Sequence, residues 1–366
     1  MTSSSTYIAR LERARAEMTL RGVDVLLLSV GADLPYFTGY TAMPLERLTM
    51  LVVPRDGDAI LVVPRLEAPR VVEQGSAFTL RSWEELEDPI AIVAAHMRGA
   101  AVAAVGDHTW ARFVIDLQRA TPDTRFVRAN DVTAPLRRRK DADELALLRA
   151  AGRAVDACID DLRGLSFAGR REIDVHRDIA RLLVEHGHQR MDFAIVAAGE
   201  NAASPHHEPG DRVIQVGETV LCDFGGTRDG YCSDITRVFS VGGPATDEVA
   251  DAWAALCLAQ EIGVQTGAVG VPCEAVDTAT RASLTDAGYG EYFVHRTGHG
   301  IGTETHEDPY IVAGNGLPLE VGNAYSVEPG IYIPGRFGLR LEDIVLITET
   351  GPERVSHAPR ELMVVE

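Results

Sequence analysis

The chain is poor in what a disulfide framework, a membrane span or a nucleic-acid surface requires. Its five cysteines, Cys158, Cys222, Cys232, Cys257 and Cys273, contain no Cys-x-x-Cys pair. An odd, scattered set fits the reduced thiols of a cytosol better than disulfides. No apolar run approaches the ~18 residues of a membrane span. The N-terminal stretch MTSSSTYIARLERARAEM lacks the apolar core of a secretory signal and already reads as a helix. A soluble, cytoplasmic protein with no membrane partner is the expectation. Positive charge is also scarce: 35 Lys and Arg face 54 Asp and Glu, a net of −19, which argues against a nucleic-acid partner.

What is present is the makings of a globular chain, with 46% hydrophobic and 24% charged residues, and at 366 residues a length suited to two domains. Ile8, Leu11, Ala14 and Met18 recur at helical spacing. The run VDVLLLSV (23–30) reads as a buried strand, and LTMLVV (48–53) and AILVV (59–63) as a hairpin closed by Asp56-Gly57. Helices near 86–98 and 110–119 flank the apolar AAVAAV (100–105), so residues 1–136 are expected to form a small α/β domain. The charged stretch RRRKDADE (137–144) interrupts the pattern, and Asp141 with Glu144 forms a capping box for the next helix. A second helix covers 171–186, and helices near 246–267 and 273–286 punctuate a strand-rich remainder. Residues 137–366 are therefore expected to be an α+β domain.

The chemistry concentrates in that second domain. In TVLCDFGGTRDGYCSDITRVF, Asp223 and Asp234 sit on apolar strands, where a carboxylate is costly unless its charge is compensated. A hairpin centred between Arg228 and Asp229 would set them directly opposite, about 5.5 Å apart at Cα. In YSVEPGIYIPGRFGLRLEDIVLI, Glu328 and Glu342 are equidistant from Gly335 and should likewise face each other. Between these hairpins lies FVHRTGHGIGTETHEDP, with His295, His299 and His306. Its glycines oppose a helix, no HExxH glutamate is present, and no P-loop lysine follows. Glycine on both sides of His299 suggests close approach of backbone to an ion or substrate. Four carboxylates and one imidazole suit two divalent cations sharing bridging carboxylates. Such a pair, ~3.5–4 Å apart, can hold a bridging hydroxide and polarise a carbonyl. Manganese, cobalt, zinc and iron all remain open. Cys222 and Cys232 should point away from these ligands, because side chains alternate along a strand. His176, His186 and His188, on or just after a helix, read as solvated, and His207 as carrying no role of its own.

The series LCDFGG, YCSDITRVF, RTGHGIG, VEPGIY and RLEDIVL resembles the pita-bread metallopeptidases, which include Xaa-Pro dipeptidase (prolidase), aminopeptidase P and methionine aminopeptidase. Residues 1–136 resemble the creatinase/prolidase N-terminal domain and 137–366 the catalytic domain of the creatinase/aminopeptidase fold. The resemblance implies that Asp223 chelates one metal, that His299 and Glu328 hold the other, and that Asp234 and Glu342 bridge them. It implies that Glu328 shuttles a proton and that His206, His295 and His306 serve substrate and oxyanion. Arg340 would support the bridging carboxylates, and Tyr332 would lie near the substrate. Two divalent ions, manganese first, and a homodimer are implied as well.

The implied activity is hydrolysis of the N-terminal Xaa-Pro bond of dipeptides or short peptides by a metal-bridging hydroxide. Two features leave room for alternatives. Segment 307–322 contains no Lys or Arg, where dipeptidases of this kind commonly carry an arginine for the substrate's carboxylate. An aminopeptidase P acting on longer peptides thus stays open, as does a metal-dependent enzyme of this fold with a non-peptide substrate. Asn323 replaces the methionine usual before VEPG.

Overall fold

The computed structural model describes residues 3–366. The chain divides into two compact units between Arg137 and Arg138.

In the first unit, the helix Ser4–Arg21 starts where the Ser3 hydroxyl accepts the Thr6 N–H and stops at Gly22 in the left-handed conformation. Its Leu11, Ala14 and Met18 are buried, as their spacing demands. The strand Val25–Leu28, buried at every position, pairs antiparallel with Met50–Pro54 and parallel with Val102–Val105. Met50–Pro54 and Ile60–Pro64 form the expected hairpin. Thr79–Trp83 and Arg125–Arg128 complete a six-stranded sheet as its two edges. These edge strands, TLRSW and RFVR, went unread because they carry no continuous apolar run. The helices Asp33–Thr38 and Asn130–Arg137 were also missed.

In the second unit, the helix Ala142–Leu162 opens with the complete capping box between Asp141 and Glu144. The helix Glu172–Glu185 precedes a sheet in which Thr219–Arg228 is flanked by Arg190–Ala198 and Ile235–Val241, with Met363–Val365 at one edge. A second sheet runs Glu307–Ile311, Gly298–Gly300, Ala324–Val327, Asp343–Thr348, Gly351–Arg354. The hairpin Gly330–Ile333/Phe337–Arg340 stands beside it. A backbone bridge between Thr236 and Glu342 links the two larger sheets. Helices Asp247–Thr266 and Cys273–Asp286 complete the α+β architecture.

Three expectations need correction. Asp223 pairs with Thr236, not Asp234, because the turn is centred on Asp229-Gly230. Both turn residues have positive φ, 50° and 83°, the geometry that fits a tight hairpin's twist. Moving the centre by one residue displaces the partner by two, so Asp234 is diagonal to Asp223 yet keeps the same face. Second, a Cβ at Gly298 would lie 1.8 Å from the Ser326 carbonyl oxygen, and one at Gly300 2.4 Å from that of Asp308. These glycines admit neighbouring strands rather than an ion. Third, His188 is buried, with Nε2 2.8 Å from the Ser233 hydroxyl, because Gly187 (φ 95°) turns the chain inward.

Candidate metal centre

Each acidic side chain reaches the site because its strand alternates. In Thr219–Arg228, Val220, Cys222 and Phe224 pack into one core with Ile235 and Phe239, which sends Asp223 to the other face. Cys222 thus points away from Asp223, and Cys232 packs in a separate core with Ile344 and Leu346. Val327 pairs with Asp343 and Gly330 with Arg340, so Glu328 and Glu342 take the facing positions between those two ladders. The same alternation turns Asp343 to the opposite side, against Arg237.

These groups line one cavity of about 800 Å³, together with His206, His295, Arg296, His299, His306 and Arg340. Ligand atoms of Asp234, His299 and Glu342, all buried, lie within 4.8 Å of one another. His299 Nδ1 is 3.1 Å from the Gly300 carbonyl oxygen, to which it donates. Its Nε2 lone pair therefore faces Glu328 at 3.2 Å and Asp234 at 3.7 Å. Orienting one nitrogen by a carbonyl so that the other is free for a cation is the usual support of a metal-binding histidine.

The carboxylates have hydrogen-bonding capacity left over. Asp223 Oδ1, Asp234 Oδ1 and Glu342 Oε1 are buried with no hydrogen-bond partner among the described residues. Burial, and after it the charge of neighbouring carboxylates, pushes the Asp234 and Glu342 carboxyls well above the usual range. Burial also opposes ionisation of Glu328, but the hydrogen bond and charge of His299, in the state where its Nε2 carries a proton in place of the lone pair, hold that carboxyl low. Three orphaned acidic oxygens beside a directed imidazole lone pair are a donor set that divalent cations complete.

Polar neighbours invisible to spacing hold this set in place. The Thr236 hydroxyl donates to Glu342 Oε2 at 2.7 Å, and the Ser326 hydroxyl to Glu328 Oε1 at 3.0 Å. Arg340 donates to Asp223, to Thr236 Oγ1 at 3.3 Å and to the Tyr332 hydroxyl at 2.6 Å. Tyr332 stands behind the cavity wall, its hydroxyl 2.8 Å from His295 Nε2 and raised to about 12, chiefly by burial. His295 Nδ1 lies 2.8 Å from the Arg296 carbonyl, so both its nitrogens are engaged. The His306 nitrogens make no hydrogen bond among the described residues, and its ring packs 3.9 Å from that of His299. Burial and then the charges of His299 and Arg296 hold His306 down at about 4. His206 is exposed on the cavity wall. His207 is anchored instead, 2.8 Å from the fully buried Glu172 carboxylate, which also accepts the Ala198 N–H.

Comparison with known proteins follows the same division of the chain. The profile of metallopeptidase family M24 matches residues 146–349, and that of the creatinase/prolidase N-terminal domain residues 10–138. The chain is 43% identical to the probable dipeptidase PepE of Mycobacterium tuberculosis over 99% of this chain and 97% of that one. It is 35% identical to an Xaa-Pro dipeptidase of Lactobacillus helveticus, covering 93% and 95%. The crystal structure of a prolidase from Thermococcus sibiricus superposes with a TM-score of 0.93 at 33% identity, covering 98% and 99%.

Proposed function

This chain belongs to metallopeptidase family M24, a family that works with divalent metal ions, and from that premise we propose that it hydrolyses the Xaa-Pro bond of dipeptides. The observation that carries the reading is one cavity that holds three orphaned carboxylate oxygens, of Asp223, Asp234 and Glu342, and in which ligand atoms of Asp234, His299 and Glu342 lie within 4.8 Å of one another. Asp223, Asp234, His299, Glu328 and Glu342 would hold two divalent cations, manganese by our reading. Bound there, the cations would supply an activated water and polarise the scissile carbonyl. Glu328, ionised and oriented by the Ser326 hydroxyl, accepts the water's proton and passes it to the departing proline nitrogen. His306, neutral and free of other hydrogen bonds, donates to the developing oxyanion, whereas His295 is held by Tyr332 and Arg296 and shapes the wall. Arg340 fixes Asp223, and His206 meets the substrate at the cavity's exposed side.

We place the enzyme in the cytoplasm, supported by its five free cysteines and by the lack, among the described residues, of any helix long and apolar enough to cross a membrane. A homodimer is supported by the family resemblance alone. The test is proline release from Ala-Pro in the presence of Mn²⁺, against an Ala-Pro-Ala tripeptide and an Ala-Ala control. Cleavage of Ala-Pro supports the proposal, and cleavage of the tripeptide alone makes the enzyme an aminopeptidase. No cleavage by the metal-loaded protein refutes it.

A further inference from the structure

The cavity wall carries two arginines, and among the described residues only Arg340 has hydrogen-bond or ion-pair partners. Arg340 is buried and committed to Asp223, Thr236 and Tyr332. Arg296 is half-buried, and its guanidinium makes no hydrogen bond or ion pair among the described residues. It lies over the face of Tyr310, whose ring centre is 4.5 Å from the guanidinium carbon. Tyr310 belongs to segment 307–322, which contributes no Lys or Arg of its own.

The backbone that presents Arg296 is tightly held. Asp277 accepts the N–H and the hydroxyl of Thr297, at 3.0 and 2.8 Å. Arg281 donates to the carbonyls of Phe293 and His295, at 2.9 and 2.8 Å. Arg296 stands beside His306, whose imidazole feels its charge. A cation in a concave wall without a hydrogen-bond or ion-pair partner has a standing desolvation cost. Stacking on Tyr310 supports the face of the guanidinium but leaves its five donors on the planar edge unused. That edge matches a carboxylate in a two-pronged hydrogen bond.

We propose that Arg296, braced by Tyr310, binds the free α-carboxylate of the substrate and so restricts the site to dipeptides. The assignment rests on the Xaa-Pro peptidase reading above. In a longer peptide the proline carbonyl would be a neutral amide, and the guanidinium would stay unpaired. Arg296 is thus a specificity-determining residue, distinct from the groups that move protons.

The experiment compares Ala-Pro with Ala-Pro-amide, in which the carboxylate alone is neutralised, on manganese-loaded wild type, Arg296→Ala and Arg296→Lys. Wild type should prefer the acid. Arg296→Ala should raise KM for Ala-Pro by roughly 10- to 100-fold, the range of a charged hydrogen bond, and leave Ala-Pro-amide cleavage unchanged. Arg296→Lys should recover part of the loss. Cleavage of the amide is the internal control for folding and metal loading. Equal losses on both substrates by the folded Lys variant, or unchanged KM for the acid in Arg296→Ala, overturn the assignment while leaving the peptidase reading intact. Wild-type enzyme that cleaves neither substrate overturns that reading, and the assignment with it.

Discussion

The guanidinium of Arg237 lies 2.7 Å from the carboxylate of Asp343, and neither side chain is exposed. Arg237 also donates to the Glu342 carbonyl at 2.6 Å, so the pair ties the Ile235–Val241 strand to the backbone that carries Glu342. Removing one member leaves the other charge buried and unpaired, which costs about 3–5 kcal/mol. Asp343→Asn should therefore lower unfolding stability by that order, measured by urea denaturation. A loss under about 1 kcal/mol would contradict a structural role for the pair.

Asp234 has one orphaned oxygen and faces His299 Nε2. Asp234→Ala should remove metal loading and hydrolysis together, read by elemental analysis and proline release. An active, metal-free Asp234→Ala protein would defeat the proposed mechanism.

His306 differs from the proposed ligand His299 in having, among the described residues, no carboxylate against its nitrogens. His306→Ala should keep its metal content and lower kcat by roughly 10²- to 10³-fold, the worth of one oxyanion donor. Loss of metal in this variant would instead make His306 a ligand.

The thiols offer a check on burial. Burial lifts Cys158 and Cys232 to about 12 and raises Cys222 and Cys273 as well. A raised thiol pKa leaves less thiolate at pH 8, and thiolate is the reactive form. At most one thiol per chain, the half-buried Cys257, should react with a disulfide reagent in the native protein at pH 8. All five should react after denaturation, and two or more reacting rapidly before it would contradict the packing described.

The two hairpins show what spacing could and could not reveal. Around Gly335 (φ 71°) the ladders are symmetrical, so the facing positions of Glu328 and Glu342 were legible. Around Asp229-Gly230 the centre was misplaced by one residue, and only the two-residue period of a strand kept Asp234 on the right face. The central strands of the first unit were legible from their apolar runs, its edge strands were not. Thr236, Ser326 and Glu172 were missed because hydrogen bonds between distant elements leave no local signature. Arg237 and Asp343 did leave one: each is a charge inside an apolar strand, and such charges call for partners. Arg296 lies within the RTGHGIG motif, where nothing local gives it a role, and its stacking on Tyr310 is visible only in the fold.

The most direct test of the central claim is a manganese titration of exhaustively chelated enzyme, followed by proline release from Ala-Pro. The account predicts no hydrolysis without cation and a rise that saturates near two equivalents per chain. Full hydrolysis after chelation, or none at saturating metal, would contradict it.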